Sequence, residues 1–463
     1  MGCTRSLLKT LGRWWCILGA VFALVTRERA EAAFASQFSL SVGEEYSDNI
    51  FFRKNKDHDF VTSITPTLTL YYAPAGEVAP TLNLNISPGG QIFARHSEHN
   101  NFGDTLSLNG GYTYRYSPRL NFHVSDTLQR LGETRTLGSS GGGFFQIPQP
   151  VTSPPPPGGT VPPPPSQNLK DLISGGDLIT NSLSLQGSFL YRPDISFTGN
   201  YGNTFTSFIQ QGGSQITHNI GFSGVYNWQQ DHNFHAGYSI TIINGRNTNG
   251  RNGNDNVVHN FDFGDDYFSN YTYTLPISPT LSVSASSGLS INTSAGGPRV
   301  ASNTNIVVTK LWETASLTGG VRKGLTPSFG VSGVSDTTSF FANFSIRLTE
   351  RLTANSSLDF SLYDTKDVNF RPFQASTGLQ YLITSWLSSS LTFSHRSINS
   401  GAGAQATNLL ERGYVSANSI FLAITSRFDL WPNLGLTKAL TSPSLTPVIR
   451  TPFPTPTSPS PGP

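Results

Sequence analysis

A chain that alternates apolar and polar residues for a dozen positions, turns within three residues and then alternates again is committed to antiparallel β-sheet. The stretch SLSLQGSFLYRPDISFTGNY (182–201) does this. Leu183, Leu185, Gly187, Phe189 and Tyr191 interleave with Ser184, Gln186, Ser188 and Leu190, and after Arg192-Pro193-Asp194 the pattern resumes at Ile195, Phe197, Gly199 and Tyr201. Period two sends the two sets to opposite faces of a strand. Segments of this character recur about 18 times between 37 and 428. Most run about 11 to 16 residues, longer than the strands of soluble sheets and sufficient for a tilted strand crossing a bilayer. The alternation is weakest over 256–275, where Asp265 and Asp266 interrupt it, and over 302–323.

The connections are sorted. After even-numbered segments they are short: Ser117-Pro118, Arg192-Pro193-Asp194, Trp312-Glu313-Thr314, Thr349-Glu350, Thr384-Ser385. After most odd-numbered ones they are longer and rich in Gly, Asn and Ser, as in 49–58, 247–255 and 399–411. Short turns on one rim and long loops on the other predict a transmembrane antiparallel up-and-down β-barrel of about 18 strands (16–20), with periplasmic turns and outer loops. Composition agrees. Charged residues make up 13% of the chain, about half the usual share, while 31 Phe, 16 Tyr and 6 Trp argue against disorder. The short-turn ends also collect aromatics. Tyr72, Tyr116, Tyr191, Trp228, Tyr273, Trp312, Trp386 and Phe428 are expected to form a periplasmic aromatic girdle. The last segment ends on Phe428, a terminal pattern that barrel-insertion machinery reads.

Residues 1–35 read as a signal peptide. Arg5, Lys9 and Arg13 precede an apolar run from Trp14 to Val25 that is short for a membrane span, and small residues at 30–35 offer cleavage near 32–35. Its removal takes away five basic residues (Arg5, Lys9, Arg13, Arg27, Arg29) and two acidic ones (Glu28, Glu31), so the formal net charge of +2 becomes −1. Nucleic acid is therefore not an expected partner. Cys3 and Cys16 leave with the leader, and with them any disulfide, thiolate nucleophile or Cys-ligated metal. The barrel is expected over 36–430. It is broken by a Pro-rich outer loop at 132–176 and followed by a Pro/Ser/Thr-rich tail at 431–463.

Chemistry is sparse. There is no HExxH, Walker loop or GxSxG elbow, and no enzyme activity is expected. His96 and His99 in RHSEHNNFGD, and Asp57-His58-Asp59, have spacings that a metal could use, but polar histidines at a strand's outer end are more often solvated. No metal or cofactor is expected. Inward positions are dominated by Ser, Thr, Asn, Gln and Gly. Glu45, Tyr71, Arg115, Phe341, Arg347, Asp359, Tyr363 and Arg396 are the candidate lumen-lining residues with charge or an aromatic ring, and Tyr71, Phe341 and Tyr363 could stack on sugar faces. No ring of one charge sign stands out, so the wall suits uncharged or weakly charged hydrophilic solutes.

Two stretches, VGEEYSDNIFFRKNKDHDFVTSITPTLTL (42–70) and RKGLTPSFGVSGVSDTTSFFANFSIRLTERLTANSSLDF (322–360), resemble outer-membrane proteins of the β-barrel porin 2 type, a family associated with exopolysaccharide systems. The resemblance implies a pore in the bacterial outer membrane. It also implies export of an exopolysaccharide, with periplasmic export components as partners beside membrane lipid and the insertion machinery. A general nutrient porin and a docking protein with a closed lumen are the alternatives.

Overall fold

The computed structural model describes residues 32–74, 80–131, 178–208, 214–228, 232–246, 256–269, 280–293, 299–327, 334–364, 369–401 and 413–430. The proposed leader up to residue 31, the Pro-rich loop, the tail and Tyr273 lie outside them. The strands are β1 (Ala32–Ser47), β2 (Asp59–Pro74), β3 (Thr81–Phe93), β4 (Asn101–Ser117), β5 (Leu120–Leu131) and β6 (Leu178–Arg192). Next come β7 (Ile195–Phe208), β8 (Ser214–Trp228), β9 (His232–Arg246), β10 (Asn256–Ser269), β11 (Thr280–Asn292) and β12 (Arg299–Leu311). The last are β13 (Ala315–Pro327), β14 (Val334–Arg347), β15 (Leu352–Asp364), β16 (Asn369–Leu382), β17 (Leu387–Ser400) and β18 (Gly413–Asp429).

Each strand pairs antiparallel with its sequence neighbours. β1 pairs with both β2 and β18, which closes one 18-stranded sheet into a barrel. Closure satisfies the backbone groups that an open edge would leave bare in lipid. No helix among the described residues is long and apolar enough to cross a membrane. The register puts Val42, Ile64 and Ile424 on one face with Phe38, Leu68 and Phe428. That face is the outside, and large apolar side chains stay exposed along it around the circumference, from Val42 and Phe122 through Phe222 and Phe263 to Phe340, Leu391 and Ile424. In a water-soluble protein such a surface would be an aggregation site; against lipid it is the expected one.

The short turns follow from local chemistry. Ser117 Oγ accepts the amides of Arg119 and Leu120, Thr349 Oγ1 those of Arg351 and Leu352, and Thr384 Oγ1 those of Trp386 and Leu387. A hydroxyl at the start of a tight turn satisfies two amides that the ladder cannot reach. Prolines interrupt the ladder where they must. Between β2 and β3 it runs from Val61 to Ile64 and from Leu68 to Tyr72, and the gap holds Pro66 and, on the other strand, Pro88.

Candidate functional site

The inner wall is built from the alternate residues, and neighbouring strands join hydroxyl to hydroxyl or amide. Thr69 Oγ1 donates to Asn85 Oδ1 (2.7 Å), Ser361 Oγ to Ser339 Oγ (2.8 Å), and Ser357 meets Ser376 at 2.7 Å. Burial along this wall is uneven. Near the short-turn rim Asn83, Arg115, Gln186, Asn200 and Asn343 are exposed. Near the loop rim the inward residues are buried on nearly every strand, among them Leu178, Thr206, Val258, Ser290, Ser335, Phe370 and Ile398. The interior is thus open at one end and covered at the other.

Part of the cover is the segment joining β1 to β2. Ile50 is buried against inward Val61 and Phe93, with Phe51 beside them. Phe52 reaches farther, its ring 5.8 Å from the guanidinium carbon of Arg396 on β17. Four anchors hold the segment. Asn49 receives the amide of Arg53 on Oδ1 (3.0 Å) and donates Nδ2 to the carbonyls of Arg53 (2.6 Å) and Ser416 (2.9 Å). Asp48 accepts the backbone amide of Asn418 (2.6 Å), its side-chain Nδ2 (2.9 Å) and Lys56 Nζ (2.7 Å). The Ile50 amide bonds to the Asp57 carbonyl (2.9 Å), closing the loop on itself. Finally, His96, in the β3–β4 connection, places Nδ1 2.9 Å from Asp59 Oδ2 and Nε2 3.0 Å from Asp57 Oδ2. Its side chain is only 18% exposed, so it is an ion-pair partner rather than the solvated histidine the sequence suggests. The hydrogen bond with Asp59 raises its pKa above the ordinary histidine value; partial burial opposes this and the Asp57 charge adds to it. Phe51 sits edge-on to both His96 and His99, with ring centroids at 5.2 and 5.1 Å. Among the described residues no group of three or more His, Cys, Asp or Glu side chains could hold a metal ion.

The sequence-derived lumen residues fall as follows. Tyr71, Arg115, Phe341, Arg347, Asp359, Tyr363 and Arg396 have inward parity by the register. Glu45 is also inward and fully buried, facing Phe421 across one seam and Val61 across the other. One row of cross-strand partners runs Gly320, Phe341, Asp359, Gln374, Arg396 and brings four side chains of the wall together. Arg322, which periodicity did not single out, lies over the Phe341 ring at 4.9 Å and donates Nε to Asn305 Oδ1 (3.2 Å). Phe341 is 7% exposed under that guanidinium, and Tyr363 stacks on Phe370 at 4.6 Å. One face of each ring is thus occupied by a neighbour on the wall. Tyr116, Tyr191, Trp312, Trp386 and Phe428 are exposed at the short-turn ends, where Trp386 stacks on Phe428 (6.2 Å) and Lys310 covers Trp312 (5.1 Å). Tyr72 has outward parity at the same rim. Trp228 ends β8.

Fold and wall together define an all-β transmembrane barrel of 18 antiparallel strands with a polar, one-end-covered interior. Solved structures that resemble it include Pseudomonas aeruginosa OccK2 (OpdF), determined in complex with glucuronate, with 8% identity, 86% of this chain and 98% of that one covered, and a TM-score of 0.45. P. aeruginosa OpdL matches with 11% identity over 86% and 99% of the two chains (TM-score 0.44), and Acinetobacter baumannii OccAB3 with 10% over 85% and 99% (TM-score 0.43). No family model and no curated protein matches the chain.

Proposed function

We propose that the protein is a bacterial outer-membrane channel for small hydrophilic solutes, delivered there by a cleaved leader, with the short-turn rim in the periplasm and the loop rim at the cell surface. The observation that carries this reading is the barrel's two-faced wall. Outside it is apolar; inside it is hydroxyl- and amide-lined, open below and narrowed above by the 48–58 segment leaning onto Arg396. An 18-stranded barrel leaves an aqueous interior unless something occupies it. A mouth held this tightly favours small solutes over the exopolysaccharide that the family resemblance implies, because a polymer would have to displace Phe52 and its anchors along its whole length of passage. Short turns on one rim and longer connections on the other support the assigned orientation.

The test is single-channel conductance in planar bilayers of the refolded barrel and of a variant in which 50–57 is replaced by two glycines, a bridge that the Ile50–Asp57 hydrogen bond shows to be short enough. We expect steady small conductance from the first and a several-fold larger one from the second. No conductance in either, from barrels shown to be folded, would instead support a closed docking protein.

A further inference from the structure

The seam between β12 and β13 stops early. Its register runs from Leu311 opposite Ser316 up to Thr304 opposite Lys323. Both strands continue beyond that point. Residues 299–303 stay paired with β11, and 324–327 with β14. On the other side of the β13–β14 hairpin, the ladder with β15 begins only at Asp336. Among the described residues, Val334 and Ser335 therefore have ladder partners on β13 alone. The tip of this hairpin is a two-stranded flap outside both neighbouring ladders. The flap lies within the barrel. By strand alternation Leu325 belongs with Val321 and exposed Lys323 on the outward side. Instead it is 6% exposed and clustered with Ile243 on β9 and Val258 on β10, and Ala301 on β12 packs against the cluster. Those three are inward residues, opposite Thr217, Thr241 and Ser290. Only a strand that has crossed to the inner side of β12 brings an outward-parity side chain onto them. Gly324 agrees: a Cβ there would lie 3.3 Å from Asn303 Oδ1 and 3.8 Å from Ser290 Oγ, both on the inner wall.

The two parted edges still match. Continued past Thr304 and Lys323, the same register would set Gly324 opposite Asn303, Leu325 opposite Ser302, Thr326 opposite Ala301 and Pro327 opposite Val300. In that arrangement Leu325 joins Val300 and Ser302 on the outer face, where an apolar side chain is at home. The edge of 299–303 is then paired as well, which a closed wall favours. In the observed arrangement the same side chain has an apolar seat on Ile243 and Val258, and the flap covers the inner side of β9 to β12. One sequence thus satisfies two discrete packings, which is what a switch requires.

We propose that the tip of the β13–β14 hairpin is a gate. Seated on Ile243 and Val258 it narrows the loop-rim mouth; zipped onto 299–303 it leaves the lumen and opens that mouth. The proposal rests on the channel reading above. The test traps each position with a disulfide. The chain has no cysteine after Cys16, so Cys3→Ser/Cys16→Ser gives a background without thiols. Ser302→Cys/Leu325→Cys would be a directly opposed pair in the zipped register, with Cα atoms about 4.5–5.5 Å apart, inside disulfide range. Val258→Cys/Leu325→Cys traps the inward seat. Both bonds should form under oxidant in refolded barrels, read by gel mobility. In planar bilayers, oxidation of the first pair should raise single-channel conductance at least about twofold over its reduced form. Oxidation of the second should hold conductance at or below its reduced level, and reductant should reverse both effects. Failure of either bond to form in a folded barrel overturns the two-seat flap. A zipped bond at unchanged conductance overturns the gate. No conductance from the reduced or the parent protein overturns the channel reading instead, while the gels still report on the flap. Should a cysteine pair prevent folding, Leu325→Ala alone should raise conductance, and an unchanged value overturns the gate.

Discussion

His96 and Asp59 are joined twice: Asp59 Oδ2 meets the His96 ring at Nδ1 (2.9 Å) and its backbone amide at 3.1 Å. With Asp57 on the opposite ring nitrogen, both nitrogens face carboxylates, and only the imidazolium can donate to both. The tie between the 48–58 segment and the β3–β4 connection is thus an ionisation-dependent one.

A pH dependence follows, and its sign is fixed. Because the folded pKa of His96 is raised, the stabilisation is complete below the ordinary histidine value of about 6.5 and is lost as pH rises through the folded value. For Asp48, burial pushes the carboxyl up, but the hydrogen bonds from Lys56 and Asn418 outweigh it and hold the pKa below the ordinary value. Its contribution is present above the ordinary carboxylate range and is lost only as pH falls through the depressed value. Hydrogen-exchange protection of the Ile50, Phe52 and Arg53 amides should therefore be highest at mildly acidic pH and decline on the alkaline side. In His96→Asn that alkaline decline should be absent. A profile flat from about pH 6 to 9 in the wild type would count against the tie.

Phe52 holds φ at 50°, a left-handed conformation that costs an L-residue about 1–2 kcal/mol. Phe52→Gly should keep the turn, relieve that cost and remove the ring beside Arg396. Single-channel conductance should rise while the melting temperature is unchanged or higher. Unaltered conductance would place the ring outside the solute path.

At the seam, Gly43 faces Ala423, and a Cβ on Gly43 would lie 2.5 Å from the Phe421 ring. Gly43→Ala must therefore push that ring aside, at a cost of about 1–3 kcal/mol. The barrel's heat-induced mobility shift on gels should come at lower temperature. Gly43→Ala/Phe421→Leu should recover part of the loss, since a flexible side chain can yield where a ring cannot.

The two faces can be tested with adjacent residues of β8. Phe222 is outward and 58% exposed, whereas Ser223 is inward. Phe222→Arg should destabilise the vesicle-inserted barrel by about 2–4 kcal/mol, measured by urea unfolding, while Ser223→Arg should cost little and shift ion selectivity toward anions. Equal costs would contradict the lipid and lumen assignment.

Much of the fold is legible because period two is a local property. Alternation over 195–208 marks a strand there, and β7 spans Ile195–Phe208; the hydroxyl turns at Ser117, Thr349 and Thr384 can be read from a few residues each. Where alternation is weak the limits drift. A segment expected over 302–312 is Arg299–Leu311, and the next, expected to end at 323, runs to Pro327. That weak stretch also hid Arg322, whose partner Phe341 then looked like a free stacking ring. His96 and the 48–58 segment looked like solvated loop chemistry, because nothing in RHSEHNNFGD announces that Asp57 and Asp59 will meet it.

The sequence by itself determined which residues face lipid and which face inward, where the chain turns, and about how many strands there are, since each depends on neighbours a few positions apart. Only the tertiary structure decided the register in which β1 meets β18 and that the first long loop leans inward over the lumen. The reason is sequence distance. Asp48 finds Asn418 across 370 residues and Phe52 finds Arg396 on β17, and such contacts exist only once eighteen local choices have been wrapped into one closed sheet.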